Sequence, residues 1–144
     1  MEPVAFTLAG HPQGKGRARA FVRAGHVAHY TPEKTRSYES MIRGAAMDAM
    51  AGRAPLSGPV EIDLRIEVAI PASWSKRKRT EAEVGVLWPA KTPDLSNVQK
   101  AVEDAMNGVV YGDDSQIVRY RRLEKVYSLR PGVTVEVRSV ACAA

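Results

Sequence analysis

From Val60 to Ile70 every second residue is apolar. Val60, Ile62, Leu64, Ile66, Val68 and Ile70 alternate with Glu61, Asp63, Arg65, Glu67 and Ala69. A period of two sustained this long predicts a strand with one face in a core, and Pro71 ends it. Residues 4–8, VAFTL, read as a shorter strand. Residues 10–31 carry Lys15, Arg17, Arg19 and Arg23 among four glycines and Pro12. They read as a basic loop or irregular hairpin in which Phe21-Val22 is a candidate strand. Thr31-Pro32 predicts a helix start, with Thr as N-cap, Pro at the first helical position and Glu33 in the first turn. That helix runs to about Met50, before Gly52. Its apolar side reads as Met41, Ala45 and Ala49, flanked by Tyr38, Ile42 and Ala46.

Residues 73–84 predict another helix, very basic at its start and stopped by Gly85. In residues 95–106 the side chains of Leu95, Val98, Val102, Ala105 and Met106 share one helical face, and Asn107-Gly108 follows as a stop. Val109-Val110-Tyr111 reads as a short extended piece, and Gly112-Asp113-Asp114-Ser115 has turn chemistry. Residues 116–127 and 133–140 read as two strands joined at Arg130-Pro131-Gly132, most simply an antiparallel hairpin. The alternation of strands and helices predicts one small α/β (α+β) domain spanning residues 1–144, a mixed β-sheet with helices packed on one face.

Composition narrows the function. The 144 residues, 44% hydrophobic and 26% charged, suit a single domain with a core of its own. The single cysteine, Cys142, excludes an intramolecular disulfide and a thiolate metal cage. No apolar stretch approaches the roughly 18 residues of a membrane span. The start, with Glu2-Pro3, lacks the pattern of a secretory signal. A soluble cytoplasmic protein is the expectation, with no membrane partner.

The net charge of +5 favours a polyanionic partner. Its distribution is uneven. Residues 94–114 hold Asp94, Glu103, Asp104, Asp113 and Asp114 against Lys100 alone, while the remainder carries a net +9. Carboxylates would repel a nucleic-acid backbone unless cations sit among them. Asp94 and Asp114 both lie at predicted element boundaries, where side chains converge on an ion. Mg²⁺ is bound through one or two carboxylates, waters and substrate phosphate oxygens. Such an ion would neutralise a phosphodiester and activate water, and Lys100 could stabilise the transition state. The competing readings are structural: Asp94 as a helix N-cap, Ser96 and Gln99 as a capping box, Asp113-Asp114 as a plain turn, Glu103 and Asp104 as a solvated helix face.

The run PDLSNVQKAVEDAMNG at residues 93–108, followed by YGDDSQ at 111–116, resembles the signature of the RusA family of Holliday junction resolvases, often carried by phages and prophages. Gly14-Lys15-Gly16-Arg17 and the YTPEKT segment at 30–35 also resemble phage-type members. The family pattern is Asp-x-Asp-Asn-x-x-Lys, an Asp four residues on, then Asp-Asp-x-Gln at a strand start. The resemblance implies a RusA-like homodimer that cuts four-way DNA junctions in recombination and repair by paired symmetric nicks. Its implied cofactor is Mg²⁺, with Mn²⁺ a possible substitute. Asp94 and Asp114 fall on metal-binding carboxylates and Lys100 on a lysine needed for cleavage. Asp104 and Asp113 match further acidic positions, Asp113 being counted with the metal site. One position departs: Ser96 stands where the family has its second Asp. Glu103 lies two helical turns beyond Ser96 and is the candidate replacement for the missing oxygen. The alternatives are a branched-DNA-binding homologue weakened or disabled by Ser96, and a basic RNA-binding or assembly module.

Lys15, Arg17 and Arg19, together with Lys76, Arg77, Lys78 and Arg79, are candidate phosphate contacts, as is the 119–122 stretch. His26 and His29 read as loop histidines, and Trp74 and Trp88 as core or boundary anchors. Gly14-Lys15-Gly16 lacks the full phosphate-loop pattern, so no nucleotide cofactor is expected.

Overall fold

A computed structural model describes residues 2–16, 19–30 and 33–140, with the backbone alone described at 19–23 and 26–30. In chain order the elements are β1 (Val4–Ala9), β2 (Arg19–Arg23), β3 (His26–Tyr30), α1 (Glu33–Met50), β4 (Val60–Ala69), α2 (Lys76–Glu83), α3 (Leu95–Met106), a 3-10 turn (Asp114–Gln116), β5 (Ile117–Ser128) and β6 (Gly132–Ser139). The result is a small α+β domain around one mixed four-stranded sheet, with order β1-β6-β4-β5. β2 and β3 form a separate antiparallel ribbon, the hairpin alternative for the basic segment. The Thr31-Pro32 cap lies outside the described residues.

β4 is central, as its length and period require. It pairs antiparallel with β6 and parallel with β5. Its alternate residues Val60, Ile62, Leu64, Ile66 and Val68 are buried beside Val133, Val135 and Val137 of β6 and Val4 and Phe6 of β1. The buried side chains of α1 and α3 complete the core over this face. Gly132 lets β6 close on β1, since a Cβ there would lie 2.6 Å from the Leu8 carbonyl oxygen.

The expected β5–β6 hairpin does not form. β4 lies between the two strands, and residues 129–131 cross its end. β4 has donors and acceptors along both edges, and only neighbours on both sides satisfy them. The crossing spans two inter-strand spacings, about 10 Å, which four Cα steps cover easily. Closeness in sequence suggested a hairpin; pairing of the buried strand decided otherwise.

Three local readings also change. α1 buries Thr35, Tyr38, Ile42, Ala46 and Met50, whereas Met41 is 53% exposed. The core stripe therefore sits one residue, about 100°, from the expected one. Tyr38 and Ile42, 4% and 0% exposed, anchor that stripe in the core. α2 starts at Lys76 rather than near 73, because Ser75 caps it by accepting from the Lys78 N–H at 3.2 Å. Val109 and Val110 lie in a turn rather than an extended piece, folded by bonds from their N–H groups to the Met106 carbonyl, while Tyr111 bridges to Leu56 and Asn107. Val110 and Tyr111 are fully buried there.

The opposite sheet face is polar and charge-balanced. Glu61, only 6% exposed, lies among Arg119, Arg121 and Arg138, and Arg138 also bonds Asp63 and Glu136. Arg119 foremost, then Arg138, holds the Glu61 carboxyl below its usual range despite burial.

Candidate active site

The site is built where α3, the turn after it and β5 meet. α3 forms because Val98, Ala101, Val102, Ala105 and Met106 bury one stripe, leaving its remaining positions to polar chemistry. Two i,i+4 pairs organise that polar side. Gln99 donates to Glu103 Oε2 at 3.1 Å, and Lys100 pairs with Asp104 Oδ1 at 3.0 Å.

Asp94 occupies the N-cap position of α3, yet its side chain makes no capping bond. It instead accepts from Asn97 Nδ2 at 3.3 Å. The N-cap alternative therefore does not consume this exposed carboxylate. Lys125 of β5 secures the approach to it: Lys125 Nζ donates to the carbonyls of Lys91 (2.5 Å) and Pro93 (2.9 Å).

Lys100 is the link between helix and turn. Its ammonium lies 3.0 Å from Asp104 Oδ1 and 3.5 Å from Asp114 Oδ2. The bond to Asp104 is the main reason its pKa rises. Asp114 is presented by the 3-10 turn, whose frame is local. Asp113 Oδ2 accepts from Ser115 N–H, and Gln116 Oε1 accepts from the Gly112 and Asp113 N–H groups. Gln116 Nε2 ties the turn to the Leu56 and Gly58 carbonyls. Asp113, expected with the metal site, thus has one carboxylate oxygen engaged in capping, and its pKa is lowered by the Ser115 bonds.

Glu103 faces β5. Its Oε2 accepts from Tyr120 OH at 2.7 Å as well as from Gln99. Its backbone carbonyl accepts from the buried Tyr111 hydroxyl, also at 2.7 Å. Burial raises the Tyr111 pKa, reinforced by the charges of Glu103, Asp114, Asp104 and Asp113. Burial likewise raises Tyr120, with Glu103 as the second cause. Ser96 is exposed.

Lys15 arrives from outside the motif. Its Nζ lies 2.7 Å from Asp104 Oδ2 and 2.9 Å from Glu39 of α1. It was expected at phosphate, but its charge is engaged by protein. Burial disfavours that charge, and the two carboxylates outweigh burial and raise its pKa. Asp104, partly buried, is held below its usual range by Lys15 and Lys100 together.

The remaining basic candidates lie elsewhere. Lys76, Arg77, Lys78 and Arg79 are exposed along α2, where Arg77 pairs with Glu81 and Lys78 stands over the Trp74 ring. Trp74 packs edge-on against Tyr127, whereas Trp88 is 61% exposed and anchors no core. Arg119 and Arg121 serve Glu61, and Arg122 lies by Glu124. Arg17 lies outside the described residues, and so does the side chain of Arg19. Sequence reasoning missed Glu39, Tyr120 and Lys125, whose roles come from contacts between elements distant in the chain, and it read Gln99 only as half of a capping box rather than as a partner of Glu103 one turn on.

Asp94 and Asp114 offer hard oxygen donors, the set that suits Mg²⁺ or Mn²⁺ rather than a soft ion. Among the described residues no group of three or more His, Cys, Asp or Glu is gathered closely enough to hold a metal ion. A site completed by water and phosphate oxygens fits this donor set.

Carboxylates interleaved with lysines on a small α+β domain suit phosphoryl chemistry. Residues 9–138 match the family model of endodeoxyribonuclease RusA, so the chain belongs to the RusA endodeoxyribonuclease family. It is also 36% identical over 145 residues to the uncharacterized protein YqaN of Bacillus subtilis (strain 168). That similarity covers 98% of this chain and 99% of YqaN. No helix among the described residues is long and apolar enough to cross a membrane.

Proposed function

We propose that this protein is a Mg²⁺-dependent endonuclease that resolves four-way DNA junctions by paired nicks, acting as a homodimer in recombination and repair. One observation carries the reading. Lys100 bridges Asp104 on α3 and Asp114 on the following turn, so two separated pieces of the family motif converge on one cation.

Asp94 and Asp114 would hold the ion; Glu103, the candidate replacement for the carboxylate that Ser96 lacks, is not gathered with them and would have to leave Tyr120 and Gln99 to contribute. The ion, when bound, neutralises the scissile phosphate and promotes attack by water. Lys100 moves from Asp114 towards a non-bridging phosphoryl oxygen and stabilises the charge that accumulates there. As the water oxygen bonds to phosphorus and gives up a proton to solvent, the phosphorus–oxygen bond to the leaving strand breaks and that oxygen takes up a proton, leaving one phosphate end and one hydroxyl end. A two-fold dimer presents two such sites to strands related by the same symmetry, which paired nicks require. The exposed bases of α2 would contact DNA backbone and position the junction without reading sequence.

Ser96 and the partners of Glu103 favour one competing reading. With Oε2 already committed to Tyr120 and Gln99, Glu103 has less to offer an ion, and the protein would bind branched DNA with weakened cleavage. Junction cleavage in Mg²⁺ or Mn²⁺ separates the two. Paired nicks abolished by chelation, with binding retained, support the nuclease; tight binding without nicks supports the disabled homologue.

A further inference from the structure

The segment before the β2–β3 ribbon is strapped across α1 and α3. Lys15 N–H donates to the Asn97 carbonyl at 2.9 Å, and Gly16 N–H to Thr35 Oγ1 at 2.8 Å. Gly14 allows this approach, because a Cβ there would lie 2.9 Å from the Asn97 Cβ. The strap delivers one ammonium, that of Lys15, into the space between Glu39 and Asp104.

The consequence is a line of alternating charge: Glu39, Lys15, Asp104, Lys100, Asp114. Asp104 stands in its middle with one oxygen for each lysine, Oδ2 for Lys15 and Oδ1 for Lys100. Were Oδ2 vacant, Lys100 could fork across both oxygens, and the stronger local field would draw it away from Asp114. With Oδ2 filled, Lys100 is left on the Asp114 side. We infer that Lys15 is a positioning residue for cleavage: by occupying Asp104 Oδ2 from the α1 side, it sets the catalytic Lys100 within reach of Asp114 and the scissile phosphate.

This inference rests on the nuclease reading, and it differs from the expectation that Lys15 holds DNA. A phosphate contact would weaken junction binding when lost and flatten its salt dependence by about one counterion. A positioning residue leaves both unchanged and lowers turnover.

The test compares Lys15→Met, Lys15→Arg and Asp104→Asn, alone and combined. Junction affinity and its salt slope are measured without metal, and single-turnover cleavage with saturating protein. Lys15→Met should keep the wild-type affinity and slope while cleavage falls roughly 10- to 100-fold, the scale of a small misplacement. Lys15→Arg should recover most of that loss. In the Asp104→Asn background, Lys15→Met should add little, since both act through one carboxylate. A reduced slope with unchanged cleavage, or full additivity with Asp104→Asn, would overturn the inference.

A readout independent of cleavage keeps the two proposals separable. In ¹⁵N-lysine-labelled protein without metal, Lys15→Met should shift the Lys100 ammonium resonance, whereas Lys76→Met should not. A Lys100 resonance indifferent to Lys15 contradicts the positioning role. Failure of the wild type to nick any junction contradicts the nuclease reading instead.

Discussion

Tyr120 of β5 donates its hydroxyl to Glu103 Oε2 across 2.7 Å, so the sheet itself aims a carboxylate of α3. Both partners are partly buried, and Gln99 supports the same oxygen. Hydrogen bonds to charged groups contribute about 1.5–3 kcal/mol. Tyr120→Phe should therefore lower stability by about 1–2 kcal/mol in urea unfolding, the residual Gln99 bond softening the loss. If Glu103 replaces the carboxylate missing at Ser96, the same variant should also slow junction cleavage.

Glu103→Ala addresses that replacement directly. A ligand lost from the ion should depress cleavage by at least tenfold and raise the Mg²⁺ concentration needed for half-maximal rate. Ser96→Asp in the same background should restore part of the rate by returning a carboxylate to the helix. Cleavage by Glu103→Ala at the wild-type rate would sink the replacement idea.

Lys125 holds the carbonyls of Lys91 and Pro93, immediately ahead of Asp94. Lys125→Met keeps the aliphatic stem and removes the ammonium. Cleavage should fall while α3 remains folded, read as unchanged far-UV circular dichroism with reduced turnover. An unaltered rate would show that Asp94 is aimed by α3 alone.

Glu61 gives the stability a defined acid limit. Arg119 and then Arg138 depress its pKa, so the folded protein binds this proton less readily than the unfolded chain. Its stabilisation is complete above the ordinary glutamate value of 4.5 and is lost as pH falls through the depressed folded value. Glu61→Gln should lower Tm at pH 7 by leaving three arginines around an uncharged group. It should also flatten the dependence of Tm on pH below 4.5. An unchanged acid slope would place the titration elsewhere.

The bases of α2 predict a salt signature. Lys76 and Arg79 are exposed, and no side-chain ion pair engages them among the described residues. Replacing both by Ala should reduce the salt slope of junction binding by about 2 and weaken binding to unrelated duplexes equally. A slope that does not move would remove α2 from the interface.

Much of this architecture was legible along the chain where a pattern was local and strict. The alternation through Val60–Ala69 fixed the central strand, and the stripe ending at Met106-Asn107-Gly108 fixed the bounds of α3. Asp94 and Asp114 stood out because carboxylates fell on element boundaries with Lys100 near them, and the RusA resemblance gave the three their roles. The rest depended on pairing that no local pattern carries. The partner of β5 is a strand about 60 residues earlier in the chain, so residues 116–140 could not show that β4 would part β5 from β6. α1 offers two neighbouring apolar stripes, and only packing against the rest of the core selects the one through Tyr38, Ile42, Ala46 and Met50. The ion pairs of Lys15 were invisible along the chain, because its acceptors, Glu39 and Asp104, lie 24 and 89 residues away.

The central claim is most directly tested by cleavage of a labelled mobile four-way junction, with an immobile one beside it, in Mg²⁺ and in Mn²⁺. Wild type is compared with Asp114→Asn. Wild type should produce paired, symmetric nicks that chelation abolishes, and Asp114→Asn should bind the junction with wild-type affinity and cut nothing. Tight binding by wild type with no nick under either metal, or undiminished cleavage by Asp114→Asn, would contradict it.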